Sequence, residues 1–199
     1  MMRNLLGTVW LLCCTLTLGV VQAARTMQTK PRNSFIQIGS LLKLATWNCG
    51  GLSYTQRELC RELNYDILAL TETHNKGTLP SKKDFICSDV APTSDPYAGV
   101  ALLLSDRLTK CVLHDGNNGS RIVYARIRAD PCNLFVIGVY MPHTQRKQQP
   151  YFSDTLNRLD EVLLKVRNND CVIILGDLNC KLARNIPKRT GRWCPQVLK

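Results

Sequence analysis

Residues 172–179 read VIILGDLN, and the change of character within this stretch decides the fold. Val172, Ile173, Ile174 and Leu175 form an unbroken apolar run, the pattern of a strand buried on both faces. The run ends in Gly176-Asp177-Leu178-Asn179, which puts a carboxylate and an amide just past the end of that strand. Polar groups delivered to the rim of a buried sheet are the raw material of a site. The plainer reading of Asp177 and Asn179 is an Asx turn, in which the side chain bonds nearby backbone.

Upstream of that strand a helix begins near Pro150. Leu156, Leu159, Leu163 and Val166 recur at helical spacing and form a stripe suited to docking on a sheet. Lys165 and Arg167 fall in its last turn, which suits the helix dipole. The chain before it is β-rich. Gly99–Leu104, Lys110–Leu113, Ile122–Arg128 and Leu134–Tyr140 read as strands, with turns at Gly116-Asn117-Asn118-Gly119 and Asp130-Pro131. Ile122, Tyr124, Arg126 and Arg128 alternate with Val123, Ala125 and Ile127, so one face of that strand is predicted to be wetter. Further back, LLKLATWN at 41–48 reads as a strand, Gly50-Gly51 as a turn, and residues 54–63 as a helix. Ser53 with Gln56, and Thr55 with Glu58, both fit a capping box. Ile67–Thr71 reads as a short buried strand and Asn75–Pro80 as a loop. This order of elements predicts an α/β domain, a two-layer β-sandwich flanked by helices.

The ends carry other signals. Arg3 precedes an apolar run from Leu5 to Val21, and Val21-Gln22-Ala23 resembles a cleavage site, so residues 1–23 read as a signal peptide. Such a run is marginal for spanning a bilayer, and Arg25, Lys30 and Arg32 beyond it disfavour a simple anchor. No stable membrane partner is expected after cleavage. Residues 24–40 are polar, include Pro31 and Gly39, and read as a linker, which leaves 41–199 as the folded domain. Residues 181–199 carry six cations and no acid.

The chain has 199 residues and a formal net charge of +11, an excess that favours a polyanionic partner, most simply nucleic acid. The plainer reading is a solvated surface rich in lysine and arginine. The signal points to the secretory pathway or the extracellular space. The cysteines pull the other way. They show no C-x-x-C spacing, which gives zinc little support, and several fall in or beside strands as small buried hydrophobes. That pattern suits a reducing compartment, with the nucleus as the alternative location.

Four motifs end predicted strands: Thr46-Trp47-Asn48, Thr71-Glu72-Thr73-His74, Tyr140-Met141-Pro142-His143 and Gly176-Asp177-Leu178-Asn179. Each has a bland reading alone. Asn48 could end a strand, Glu72 could be a loop acid, Tyr140 a core aromatic, and the histidines ordinary surface residues. Taken together and in this order, the motifs resemble the endonuclease/exonuclease/phosphatase family. The residues that carry the likeness are TWNCGGL at 46–52, DILALTETH at 66–74, GVALLL at 99–104, VIGVYMPH at 136–143 and VIILGDLN at 172–179. Within that family they look most like the endonuclease domain of non-LTR retrotransposons.

The resemblance implies Mg²⁺-dependent phosphodiester hydrolysis. Glu72 matches the metal-binding glutamate and Asn48 the asparagine that helps set the metal and substrate. Asp177 matches the aspartate that orients or deprotonates the attacking water. Asn179 matches the amide that holds the phosphate, and Tyr140 the phenol on the scissile phosphate or leaving oxygen. His143 lies where relatives vary and is a further catalytic candidate. The family also uses a later Asp-His pair, and this sequence contains no Asp-His dipeptide. The resemblance therefore predicts a domain incomplete at its C-terminus and weak or inactive as a nuclease. The alternatives are a non-catalytic nucleic-acid-binding remnant, or a secreted deoxyribonuclease-like phosphodiesterase.

Overall fold

The computed structural model describes residues 10–13, 17–21, 36–37, 42–76, 82, 84–143 and 149–179. The basic stretch 181–199, and with it the predicted incomplete C-terminus, lies outside them. So does most of the predicted linker.

Two five-stranded sheets face each other. The first is ordered β1 (Trp10–Cys13), β12 (Asp170–Asp177), β11 (Asn133–Tyr140), β9 (Ile122–Ile127) and β8 (Val112–Asn117). The second is ordered β2 (Thr17–Val21), β4 (Leu42–Asn48), β5 (Ile67–Thr71), β7 (Val100–Leu104) and β6 (Phe85–Cys87). A two-stranded pair joins β3 (Ile36–Gln37) to β10 (Ala129–Asp130). Three helices lie among the described residues: α1 (Tyr54–Glu62), α2 (Asp106–Thr109) and α3 (Gln149–Leu163). None of the helices among the described residues is long and apolar enough to cross a membrane.

Strand alternation sorts the side chains into three cores. Leu44, Ile67, Ala69, Val100, Leu102, Val136, Ile173 and Leu175 meet between the sheets. The opposite faces of β11 and β12, with Phe135, Ile137, Val139, Val172 and Ile174, pack against Phe152, Val162 and Leu159 of α3. The outer face of the second sheet, with Leu68, Leu70, Phe85 and Leu103, packs with Cys60 of α1. Full burial of each such aliphatic or aromatic side chain stabilises the fold by about 1.5–3 kcal/mol before entropy is counted. Because both faces are covered, Ile67–Leu70 of β5 and Val172–Leu175 of β12 are apolar in succession rather than alternating.

Several local expectations met a different outcome. Of the two candidate capping boxes, Ser53 and Gln56 form the one that starts α1, with reciprocal backbone bonds. Leu159, Leu163 and Val166 of the predicted α3 stripe pack against the first sheet, while Leu156 is exposed and Thr155 and Val162 are buried in its place. The wetter face predicted for β9 is dry, since every residue of that strand is buried beneath α3 or the facing sheet. Arg126 stays there because Asp170 and the Lys165 carbonyl take its guanidinium, at 3.1 and 2.5 Å. The strand predicted at 110–113 starts at Val112 and runs on to Asn117, so the turn follows Asn117 instead of beginning at Gly116. Phe85–Cys87 and the short α2 carried no clear pattern.

The N-terminal segment also contributes to both sheets. Within the predicted leader, β1 pairs in parallel with β12 and β2 pairs antiparallel with β4, giving each sheet an edge strand. A short apolar run has the same pattern in a leader and in a buried strand, so periodicity does not separate them. Ile36 and Gln37, inside the predicted linker, pair with Ala129 and Asp130.

Candidate active site

Two parallel strand pairs build the site. Parallel pairing brings C-terminal ends together, and here it does so in both sheets. In the second sheet Asn48 lies opposite Thr71, the residue before Glu72. In the first sheet Tyr140 lies opposite Asp177. The sandwich then faces these two ends toward one another.

The side chains converge on one carboxylate. Oε1 of Glu72 accepts from Asn48 Nδ2 at 2.8 Å and from the Tyr140 hydroxyl at 2.8 Å. Asn48 Nδ2 also lies 3.5 Å from Asp177 Oδ2, which links the two sheets across the cluster. The Asn48 side-chain oxygen Oδ1 accepts from the Gly50 N–H at 3.2 Å. Asp177 Oδ1 accepts from the Asn179 backbone N–H at 2.9 Å, the Asx turn that the sequence allowed. Asn179 Nδ2 donates to the Met141 carbonyl at 2.7 Å, tying this loop to the end of β11. Asn48, Glu72, Tyr140, Asp177 and Asn179 therefore form one connected cluster. His143 is exposed and forms no hydrogen bond or ion pair with a described residue.

The backbone here is held in unusual conformations. Glu72, His74 and Asn179 have φ of 53°, 50° and 46°, and no other non-glycine residue among those described has positive φ. Such residues cost free energy and persist where surrounding contacts over-determine them. Those contacts are visible. Gly51 N–H donates to the Glu72 carbonyl at 2.6 Å, Leu52 N–H to Thr73 at 3.1 Å, and Thr73 N–H to Gly99 at 3.1 Å. Gly176 is required by contact as well as by its φ of 133°, because a Cβ there would stand 1.9 Å from the Val139 carbonyl oxygen.

Electrostatics fix the state of Tyr140. Burial, and then the bond to Glu72, push its phenol well above the ordinary range. The hydroxyl therefore stays protonated at neutral pH and acts as a donor. Burial likewise pushes the Cys49 thiol up to about 12, so this site neighbour is no thiolate nucleophile.

Two further residues border the cluster: His74, from the Thr71–His74 motif, and Arg121, which no motif marked. His74 Nε2 is buried without a hydrogen-bond partner and lies 4.0 Å from Glu72 Oε2. Arg121 stacks over the Tyr140 ring at 4.6 Å, and a lone arginine before a strand gives no signal of that. The donor set fits a hard cation. Glu72 Oε2 accepts no short hydrogen bond from a described residue, and Asp177 stands across the cluster. No group of three or more His, Cys, Asp or Glu among the described residues could enclose a metal. Mg²⁺ does not need one, since it binds through one or two carboxylates and completes its shell with water and phosphate.

A two-sheet sandwich with two carboxylates, a phenol and two amides at its rim defines the class. The Endonuclease/Exonuclease/phosphatase family model matches residues 45–195, and the chain belongs to that family. It is 30% identical over 162 residues to craniofacial development protein 2 of Bos taurus, and 29% identical to that of Tragulus javanicus. The match takes in 75% of this chain and 26% and 27% of those proteins, so the chain spans about a quarter of their length. Among solved structures, AP endonuclease LMAP from Leishmania major superposes with a TM-score of 0.51 at 17% identity, over 80% of this chain and 60% of that one. The Xenopus laevis APE2 catalytic domain gives 0.48 at 21% identity, over 69% and 58%. At these identities the likeness concerns the fold.

Proposed function

We propose that this chain is a Mg²⁺-dependent phosphodiester hydrolase acting on nucleic acid, derived from a retroelement endonuclease. The supporting observation is the shared acceptor. Asn48 from the end of β4 in one sheet and Tyr140 from the end of β11 in the other both donate to Glu72 Oε1, with Asp177 beside them. The motifs at 46–52 and 66–74 support the retroelement origin, and the net charge of +11 supports a polyanionic substrate.

Bound Mg²⁺ would supply a hard positive charge at the phosphate. Glu72 would hold it through Oε2, because Oε1 is already committed to Asn48 and Tyr140. Asp177, steadied by the Asn179 N–H, would orient water and take its proton. Asn179 Nδ2 spends one N–H on Met141 and has a second for a phosphate oxygen. The protonated Tyr140 hydroxyl is a ready donor to the phosphate or the leaving oxygen. The net charge of +11 also favours a second reading, a nucleic-acid binder without catalysis.

Bis(p-nitrophenyl) phosphate separates the two readings, since its aryl leaving group needs no proton. The expected result is Mg²⁺-dependent nitrophenolate release that falls on the order of 10² in Tyr140→Phe, the scale for losing one donor at developing charge. Release equal with and without Mg²⁺ would favour the binder.

A further inference from the structure

Arg121 precedes β9 and is almost wholly buried, an expensive place for a guanidinium. Its contacts show what holds it there. Nε donates to Asp95 Oδ2 at 2.9 Å, and Nη2 donates to the same oxygen. Nη1 donates to the Tyr140 carbonyl at 3.2 Å, while the Tyr140 N–H donates to the Arg121 carbonyl at 3.0 Å. The guanidinium also lies 4.6 Å from the centre of the Tyr140 ring. Arg121 thus grips Tyr140 by both backbone groups and by the ring face, and Asp95 fixes the plane of the grip. The planar fork permits this, and a lysine ammonium would not reproduce it.

We infer that Asp95 and Arg121 are positioning residues that aim the Tyr140 hydroxyl at Glu72 Oε1, an inference that rests on the proposed hydrolase reading for its catalytic consequence. Asp95 belongs to the loop between β6 and β7. Its backbone is pinned by a bond from its N–H to the Pro92 carbonyl at 2.9 Å, and its carbonyl accepts the Ala98 N–H at 3.1 Å. Tyr97 of the same loop stands edge-on to His74, with ring centres 5.4 Å apart. One loop therefore touches both walls of the cluster, through Arg121 on the Tyr140 side and through Tyr97 on the Glu72 side.

Two readouts test this on the full chain. In protein labelled with ¹³C at the tyrosine rings, the Tyr140 signal is assigned by its loss in Tyr140→Phe. It should move or broaden in Arg121→Met and in Asp95→Asn, and stay in place in the surface control Arg158→Met. An unmoved Tyr140 signal in folded Arg121→Met overturns the inference, whether or not the chain cuts phosphodiesters. If Arg121→Met does not fold, Arg121→Lys carries the same expectation. In the Mg²⁺ assay, Arg121→Met should cost about tenfold in kcat, with little change in KM, in the wild-type background, as misaimed groups do. It should cost under about twofold in Tyr140→Phe, because residues acting through one another are non-additive. Equal costs in both backgrounds overturn the catalytic half. A chain with the shifted signal and no hydrolysis overturns the proposed function and leaves the positioning role standing.

Discussion

Gly176 shows how one residue can hold a site. It sits between the buried end of β12 and Asp177, with a φ of 133° and the Val139 carbonyl pressed against its Cα. An added methyl group would meet that carbonyl oxygen at 1.9 Å, so the two strands must separate or the turn must change. Gly176→Ala should therefore destabilise the fold by about 4 kcal/mol, the range reached when strain and a clash coincide. Urea denaturation measures this, and a loss near that of an exposed glycine would show that the loop relaxes cheaply. The residues of the cluster were legible because each ends an apolar run with a polar group, as Asn48, Glu72 and Asp177 do. Arg121 was not legible. Its meaning comes from Tyr140 across β9 and β11 and from Asp95 across a loop, and no local pattern encodes either contact.

At the scale of elements, the strands with both faces covered were the clearest in sequence. β5, β11 and β12 read as apolar runs, and burial on two faces leaves little room for anything else. β9 misled because Arg126 looks like a solvent-facing residue, whereas its partner Asp170 is distant in sequence. The N-terminal segment is open to two readings. Apolar residues around Trp10–Val21 serve a leader and an edge strand equally well. The pairing of β1 with β12 and of β2 with β4 makes an element-level prediction. A chain lacking residues 1–23 loses an edge strand from each sheet, and exposes unpaired backbone on β12 and β4. Its stability should fall by roughly 3 kcal/mol, at about 0.5–1.5 kcal/mol net for each lost hydrogen bond. Its sedimentation should also show concentration-dependent association. An unchanged urea midpoint would mean that these strands are dispensable to the fold.

For the molecule as a whole, charge and site should act on the same polymer. With a net charge of +11, binding to duplex DNA should weaken steeply with salt, by ~10³ between about 50 and 200 mM if six or so phosphates are neutralised. Charge reversal at Lys188, Arg189 and Arg192 should flatten that slope, and a slope near zero in the unaltered chain would remove nucleic acid as the partner. The site makes the sharper claim. Glu72 and Asp177 come from different sheets and meet only through the fold, so each should be indispensable to the same reaction. The most direct measurement is nicking of supercoiled plasmid by the full chain with Mg²⁺, beside the same reaction in chelator and beside Glu72→Ala and Asp177→Ala. The account predicts nicking above the chelator background, falling to that background in both variants while their melting curves stay cooperative. Nicking that survives either substitution, or a wild-type chain indistinguishable from its chelated control, would contradict it.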